Sequence, residues 1–514
     1  MKIDLNPKIK KALRLIEKSQ RHLFVTGRAG TGKSTLLTYW RGKTAKKIVV
    51  LAPTGVAALN VGGQTIHSFF RFRPDTTLES IKKIRTKGKN IYQKLDAIVI
   101  DEISMVRADL LDCIDRFLRL NGKTKKIPFG GVQMIFIGDL YQIPPVVTRE
   151  ESELFRSIYK SPYFFDAKVI ENIKIDLVEL EKVYRQKDQE FINLLNKVRN
   201  NSTSKADLAL LNRRYQPDFE PASGEFYIYL TTTNRLAESI NQEELKKLKT
   251  PVFTYQGSII GDFKLSSLPT KVDLRVKKGA QVMMLNNDRD GRWVNGSVGR
   301  VVKIKSTGDD DEIIVRLTDG TKVVVLPFTW ELFKFALDKK TNQLVSETMG
   351  AFTQYPFMLA WAVTIHKSQG KTFEKVIIDI GWGTFAHGQM YVALSRCTSL
   401  EGLFLRRPLQ RGNIIVDWRV VSFLTQFRYQ QAADLLPLEE KEAILKKTRQ
   451  AGQNVEIVYL KNNDERTVHR IKPMIIGEME YLGKTFLGVS GLDLRSRFGR
   501  TFRLDQILEI NEIN

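Results

Sequence analysis

One stretch constrains this chain more than any other: Gly27-Arg28-Ala29-Gly30-Thr31-Gly32-Lys33-Ser34. The spacing GxxxxGK[ST] puts glycines where backbone N–H groups can wrap phosphate oxygens, with Lys33 set for the terminal phosphates and Ser34 for Mg²⁺. His22 to Thr26 before it reads as a buried strand, and Ser34 to Trp40 after it continues as helix. Strand, loop and helix in that order form a phosphate cradle, so the chain must begin with an α/β unit whose helix N-terminus faces an anion. Gly27, Ala29, Gly30, Thr31, Gly32, Lys33, Ser34 and Thr35 are the nucleotide-contacting candidates.

Further motifs follow in a fixed order. The run Ala97 to Ile100 ends in Asp101-Glu102, two carboxylates at the carboxyl end of a strand, where α/β sheets place ligands. Asp101 is expected to join Ser34 in holding Mg²⁺, and Glu102 to deprotonate the attacking water. Gln142, in Gly138-Asp139-Leu140-Tyr141-Gln142, is placed to touch the γ-phosphate. Arg185 and Arg396 are candidate arginine fingers, supplied from far downstream; such groups contribute about 10³ to 10⁵ in rate. Lys33, Glu102, Gln142, Arg185 and Arg396 form the catalytic set, with ATP and Mg²⁺ as cofactors.

Length and charge narrow the class. A chain of 514 residues suggests about three or four domains. A net charge of +24 favours a polyanionic partner, nucleic acid ahead of a membrane surface. Two cysteines, Cys113 and Cys397, make neither a disulfide framework nor a metal cluster, and fit packed helices in a reducing compartment. No run approaches the ~20 apolar residues of a membrane span, so the expected location is cytoplasmic.

Strands alternate with helical patterns in two blocks. The first has apolar runs at 23–26, 48–52, 97–100 and 133–137; the second is expected to start near Ile175, with runs at 227–231 and 376–380. Between them, β runs at 301–304, 312–317 and 322–326 are separated by Gly308-Asp309-Asp310-Asp311 and Asp319-Gly320, which are hairpin signals. The acidic triad reads as a solvated turn. After Pro437, a charged helix over 438–450 leads into a last β-rich stretch.

In this order and wording, the blocks resemble superfamily 1 helicases of the RecD-like branch, most closely the PIF-type (petite integration frequency) DNA helicases. The resemblance rests on Ala52-Pro53-Thr54-Gly55-Val56-Ala57-Ala58 with Thr65-Ile66-His67-Ser68-Phe69, on 128–139, and on Thr364-Ile365-His366-Lys367-Ser368-Gln369-Gly370-Lys371-Thr372, and spans roughly residues 5 to 430. It implies an α/β fold of two tandem RecA-like parallel-sheet cores, an inserted SH3-like small barrel and a C-terminal β-rich barrel domain. The expected divisions are 1–172 for the first core, with a short insertion at about 71–95; 173–297 with 353–435 for the second; 298–352 for the insert; and 436–514 for a WYL-like domain.

By the same resemblance Gly370 joins the nucleotide site, and Thr54, Gly55, Thr65, His67, Ser68, Phe69, Thr232, Asn234, His366, Lys367 and Ser368 line a groove for single-stranded DNA. It implies an ATP-dependent 5′ to 3′ DNA helicase acting on single-stranded and duplex or forked DNA, with G-quadruplexes and RNA–DNA hybrids as further substrates. An ATP-switched regulatory protein without strand separation and an RNA-directed motor are the alternatives. In the tail, Glu480 stands where a WYL domain has its tryptophan, and Arg470, Arg500 and Arg503 are candidates for a nucleic acid or small ligand. The family's adenine-reading glutamine aligns with Ile9, and His22 and His469 are read as structural.

Overall fold

The computed structural model describes residues 4–73, 76–84, 90–222, 224–263, 265, 268–306, 311–337, 344–381 and 383–513. Six strands build the first sheet: β1 (His22–Gly27), β2 (Ile48–Ala52), β3 (Gln64–Thr65), β4 (Ala97–Ile100), β5 (Gln133–Ile137) and β6 (Ile175–Leu180). They lie in the order β3-β2-β4-β5-β1-β6, and every pairing is parallel. Both faces of the central strands are buried, which is why they read as unbroken apolar runs. The carboxyl ends of β1, β4 and β5 therefore sit side by side, and from them leave the phosphate loop, the Asp101-Glu102 pair and the Gly138 to Gln142 loop.

The helix Pro7–Lys18 begins where Asn6 caps it, the Asn6 side chain accepting from the Ile9 N–H at 3.0 Å, and proline takes the first helical position. Its buried face, Ile9, Ala12 and Ile16, packs with Leu23, Leu36, Val99 and Val178 into the core of this sheet. Val178 and Leu180 belong to that core. The run near Ile175, expected to open the second block, thus completes the first sheet instead, paired along β1 from His22↔Ile175 to Gly27↔Leu180.

β7 (Ile228–Thr231) starts the second sheet, but the chain then leaves it for a long β excursion. Its strands are β8 (Val252–Gln256), β9 (Ser258–Gly261), β10 (Asp273–Lys277), β11 (Gln281–Met284), β12 (Val298–Lys305), β13 (Glu312–Leu317), β14 (Lys322–Val325), β15 (Phe328–Leu337), β16 (Leu344–Gln354) and β17 (Phe357–Leu359). Five of them form an antiparallel sheet in the order β14-β13-β12-β11-β17, around Val282, Met284, Val315, Val325 and Phe357. β15-β16-β9 and β10-β8 form two smaller sheets. The hairpins expected after residue 298 are present, yet the β region reaches back to Val252, because β8 to β11 find their partners there rather than on the parallel sheet. Residues 308–310 of the expected acidic turn lie outside the described residues. β18 (Ala362–Thr364), β19 (Val376–Asp379) and β20 (Leu403–Leu405) then complete a parallel sheet in the order β18-β7-β19-β20.

These elements form one compact unit, residues 1–195 with 203–415; residues 196–202 with 416–514 form another. In the latter, β21 (Asn454–Leu460), β22 (Arg466–Tyr481), β23 (Lys484–Asp493), β24 (Gly499–Arg503) and β25 (Ile507–Ile513) pair antiparallel in the order β24-β23-β22-β21-β25. The helix Leu438–Gln450 occupies the expected span, with Lys441 buried and donating to the Ile507 carbonyl at 2.7 Å. The helix Trp418–Leu435, placed by sequence with the second core, groups with this unit through the buried Arg428–Asp464 ion pair and the Tyr429 hydroxyl, which donates to the Leu460 carbonyl at 2.8 Å. Among the described residues, no helix is long and apolar enough to cross a membrane.

Candidate nucleotide and nucleic-acid sites

The phosphate loop turns directly from β1 into the helix Lys33–Arg41, whose first residue is Lys33. Lys33 Nζ donates to the carbonyls of Gly27 at 2.7 Å and Arg28 at 3.0 Å, and Thr31 Oγ1 donates to Arg28 O at 2.9 Å. Gly30 must be glycine: φ is +80°, and a Cβ would stand 2.5 Å from Cβ of Arg185. Arg185 thus lies directly against the loop.

The two carboxylates differ from free side chains. Burial, and then the neighbouring Glu102, push Asp101 up to about 7. Glu102 is also raised by burial, against the pull of Lys33 and Arg396. Its φ of 51° is a left-handed conformation that a non-glycine residue holds at a cost of about 1–3 kcal/mol. Asp139 is fully buried and pins the next loop by accepting from the Tyr141 N–H at 3.2 Å, while Gln142 Nε2 lies 3.5 Å from Asp139 Oδ2.

Arg396 is 1% exposed. Its guanidinium donates to the carbonyls of Val392, Ser368 and Lys371 and to Ser395 Oγ. Burial, and then the like charge of Arg185, hold it well below the usual arginine range. Arg185 donates to the carbonyls of Ser395 and Gly370, both at 3.2 Å, and burial lowers it to about 10. The Tyr391 hydroxyl reaches across to accept from the Ala29 N–H of the loop at 3.0 Å. The outcome is a cavity of about 630 Å³ lined by Gly30, Lys33, Glu102, Gln142, Arg185 and Arg396, with Ser34, Thr35 and Gly370 also on its wall. Residues from Asp4 to Arg396 meet there, and four of the lining groups, Lys33, Gln142, Arg185 and Arg396, are cations or N–H donors.

Comparison with known proteins gives the arrangement a context. The family model for PIF1-like helicases matches residues 4–208. The ATP-dependent DNA helicase Pif1 of Campylobacter jejuni is 30% identical over 456 residues, covering 82% of this chain and 97% of that protein. This chain belongs to the PIF1-like helicase family. Among solved structures, Bacteroides sp Pif1 in complex with ADP-AlF4 superposes with a TM-score of 0.75 at 37% identity, over 84% of this chain and 98% of that one. Bacteroides Pif1 bound to ssDNA gives a TM-score of 0.60 at 38% identity, over 82% and 96%.

The residues expected to line a groove in this PIF1-like helicase fall into three groups. Thr54, His366 and Lys367 line a second cavity of about 400 Å³ that shares Ser34, Glu102 and Gly370 with the first and also takes in Asp101. Gly55, Thr65 and His67 are partly exposed; Ser68 and Asn234 are exposed. Burial lowers His366 from the ordinary histidine range. Phe69, Thr232 and Ser368 are corrections. Phe69 is 4% exposed, edge-on to Phe70 and Tyr92, so its ring is not open to a base. Ser368 is fully buried and spends its hydroxyl on Ile365 O at 2.7 Å, and Thr232 is buried with its hydroxyl 3.5 Å from Ile380 O. Their polarity satisfies local carbonyls.

Four residues at these sites carried no role in the sequence. Gln186 is buried and donates to the carbonyls of Ser395 and Cys397. Tyr391 caps the loop as described. Lys371 donates to Asn295 Oδ1 at 2.5 Å, and Asn295 Nδ2 donates to Asn60 Oδ1 at 2.8 Å, a bridge from the second sheet's loop to the first core. Adjacency to Arg185 and Arg396 is the only signal for Gln186 and Tyr391; Asn295 lies in Arg292-Trp293-Val294-Asn295-Gly296, which resembles the family's second core but gives no sign of this bridge. Both cysteines are buried and free, and His22 Nδ1 accepts from the Met134 N–H at 3.0 Å, consistent with structural roles.

Proposed function

We propose that this protein is an ATP-dependent DNA helicase that moves 5′ to 3′ along single-stranded DNA and unwinds duplex or forked DNA. The observation that carries it is the convergence of Lys33, Arg185 and Arg396 on one cavity. Two arginines held below their usual range by burial create a demand for anionic charge, which a triphosphate meets. Arg185 already lies against the loop; closure of the two parallel-sheet cores over ATP brings Arg396 to the phosphates, and opening after hydrolysis releases it. With nucleic acid held by Thr54, His366 and Lys367 on the adjoining surface, that cycle advances the strand. The relatives' names and the ssDNA-bound Bacteroides structure support DNA as the track; direction rests on the family resemblance. G-quadruplexes and RNA–DNA hybrids are expected substrates, because pulling one strand breaks any pairing without reading the partner.

In the catalytic assignment Lys33 grips the terminal phosphates, Glu102 takes the proton of the attacking water, Gln142 senses the γ-phosphate, and Arg185 and Arg396 neutralise charge developing on the transferred group. The donor set fits Mg²⁺. Ser34 and Asp101 supply hard oxygens, and the described residues hold no cluster of three or more metal-ligating side chains, as suits an ion that keeps its waters and leans on phosphate. When bound, that ion offsets charge on the phosphates.

The β excursion from Val252 to Leu359 is assigned to an SH3-like insert. The C-terminal unit is assigned to a WYL-like module. There Arg470 pairs with Glu456 at 2.9 Å, Arg503 with Asp505 at 2.7 Å and Arg500 with Asp493 at 3.6 Å, which favours packing over ligand capture.

Duplexes with a 5′ tail, a 3′ tail or none, in DNA and RNA, test the proposal. Unwinding of only the 3′-tailed substrate, or ATP hydrolysis without unwinding, refutes it. Lys33→Ala is expected to abolish productive ATP binding, and Glu102→Gln to bind ATP but hydrolyse it roughly 10²- to 10⁴-fold more slowly.

A further inference from the structure

Away from the phosphate-facing groups, the wall of the nucleotide cavity is made by Asp4, Ile9 and Tyr184. The Tyr184 ring stands over the phosphate loop, 3.9 Å from where a Cβ on Gly32 would lie, and is 42% exposed. Its hydroxyl donates to Asp4 Oδ2 at 3.0 Å and accepts from Asn6 Nδ2 at 3.2 Å. Lys182 Nζ donates to the same Asp4 oxygen at 2.7 Å and lies 5.2 Å from the ring centroid. The hydrogen bonds from Lys182 and Tyr184 hold Asp4 below the usual carboxylate range, so at neutral pH it only accepts.

A base is told apart by a rigid group that offers a donor and an acceptor side by side; an amide fork does this for adenine and contributes on the order of 10- to 100-fold in discrimination. Among the described residues this wall has no such group to spare. Ile9 is 2% exposed and packs into the first core, and both ends of the Asn6 amide are engaged, with the Ile9 N–H and with the Tyr184 hydroxyl. What remains is an aromatic ring and a surface ion pair, Asp4 and Lys182, with side chains 46% and 59% exposed.

We infer that the site takes purine nucleoside triphosphates with little discrimination between adenine and guanine, the base stacked on Tyr184 and its edge met by the Asp4–Lys182 pair. Adenine offers an amino donor beside the N7 acceptor; guanine offers N7 and a carbonyl acceptor, with its donors at the neighbouring positions. Asp4 accepts and Lys182 donates, and because both sit on exposed stems the pair can meet either pattern. Stacking is indifferent to the edge, since each base has a π face. The inference rests on the proposed nucleotide role of this cavity.

Steady-state hydrolysis of ATP and GTP, each with saturating single-stranded DNA, tests it, alongside displacement of a fluorescent nucleotide from Glu102→Gln by each triphosphate. The expected kcat/KM ratio and affinity ratio are both below about tenfold. A larger preference for ATP in either measurement overturns the inference while leaving the helicase proposal intact, whereas failure to hydrolyse or bind either nucleotide sinks that proposal itself. Tyr184→Ala is expected to raise KM for both nucleotides about tenfold or more, and Tyr184→Phe, which keeps the ring but not the hydroxyl bond to Asp4, to raise it by much less. An unchanged KM in Tyr184→Ala removes the stacking role.

Discussion

Gly388 is a position where the two cores approach closely, and Gly388→Ala tests whether that approach sets the rate. Gly388 precedes the helix Gln389–Leu394 with φ +72°, and a Cβ there would fall 2.3 Å from the carbonyl oxygen of Tyr141 and 2.6 Å from that of Gln142. A left-handed alanine costs about 1–2 kcal/mol by itself. The larger effect is geometric. To bring the new methyl to 3.0 Å from Tyr141 O, the helix and the Asp139 to Gln142 loop must separate by about 0.7 Å, carrying Gln142 and, through Tyr391, the contact with Ala29 out of place. A displacement approaching 1 Å at a catalytic group costs roughly 10²-fold, so kcat should fall about 30- to 100-fold with the fold retained. Gly412, with nothing within 4 Å of its Cβ position, is the control, and Gly412→Ala should be close to neutral. The assay is DNA-stimulated ATP turnover, with thermal unfolding monitored in parallel. Parent-like kcat in Gly388→Ala, within threefold, would refute the idea that this contact transmits closure.

Two further outcomes follow from buried polar groups. His22 is lowered to about 4 by burial, so between pH 6.5 and 4 the unfolded chain binds the extra proton; its contribution of about 3 kcal/mol is complete above pH 6.5 and is lost as pH falls toward 4. His22→Asn, which keeps an acceptor for Met134 N–H, should flatten the acid limb of the stability–pH profile measured by denaturant titration. In the C-terminal unit, Arg428→Ala removes one side of a buried ion pair with Asp464, and should cost about 3–5 kcal/mol in that unit's unfolding transition, read by hydrogen exchange over 454–513.

Much of the fold was legible because its determinants are local. Loop, carboxylate pair and strand runs announce themselves within a few residues, and even the hairpins at 312–317 and 322–325 lie where Asp319-Gly320 demanded a turn. Membership of a sheet was less legible: the run at 175–180 looks like any buried strand, and only its register along β1 assigns it. Burial was hidden for the same reason. A motif names Phe69, Thr232 and Ser368 as polar or aromatic, but whether they face a groove or a core depends on what packs over them.

The sequence by itself determined that this chain handles a triphosphate, since the cradle requires Gly27 to Ser34 at one spacing on one strand–helix junction. Tertiary structure alone decided how the hydrolytic set is completed and what meets the base. Arg185 reaches Gly30 because β6 pairs along β1, whereas Arg396 reaches the same cavity only when the two parallel sheets are brought together. Ile9 is drawn largely into the core by the period of its helix, leaving Tyr184 and Asp4 as the polar groups of the wall, with Lys182 bonded to Asp4. Covalent spacing fixes contacts across a few residues; those across hundreds depend on which apolar faces bury each other, and a linear pattern does not carry that information.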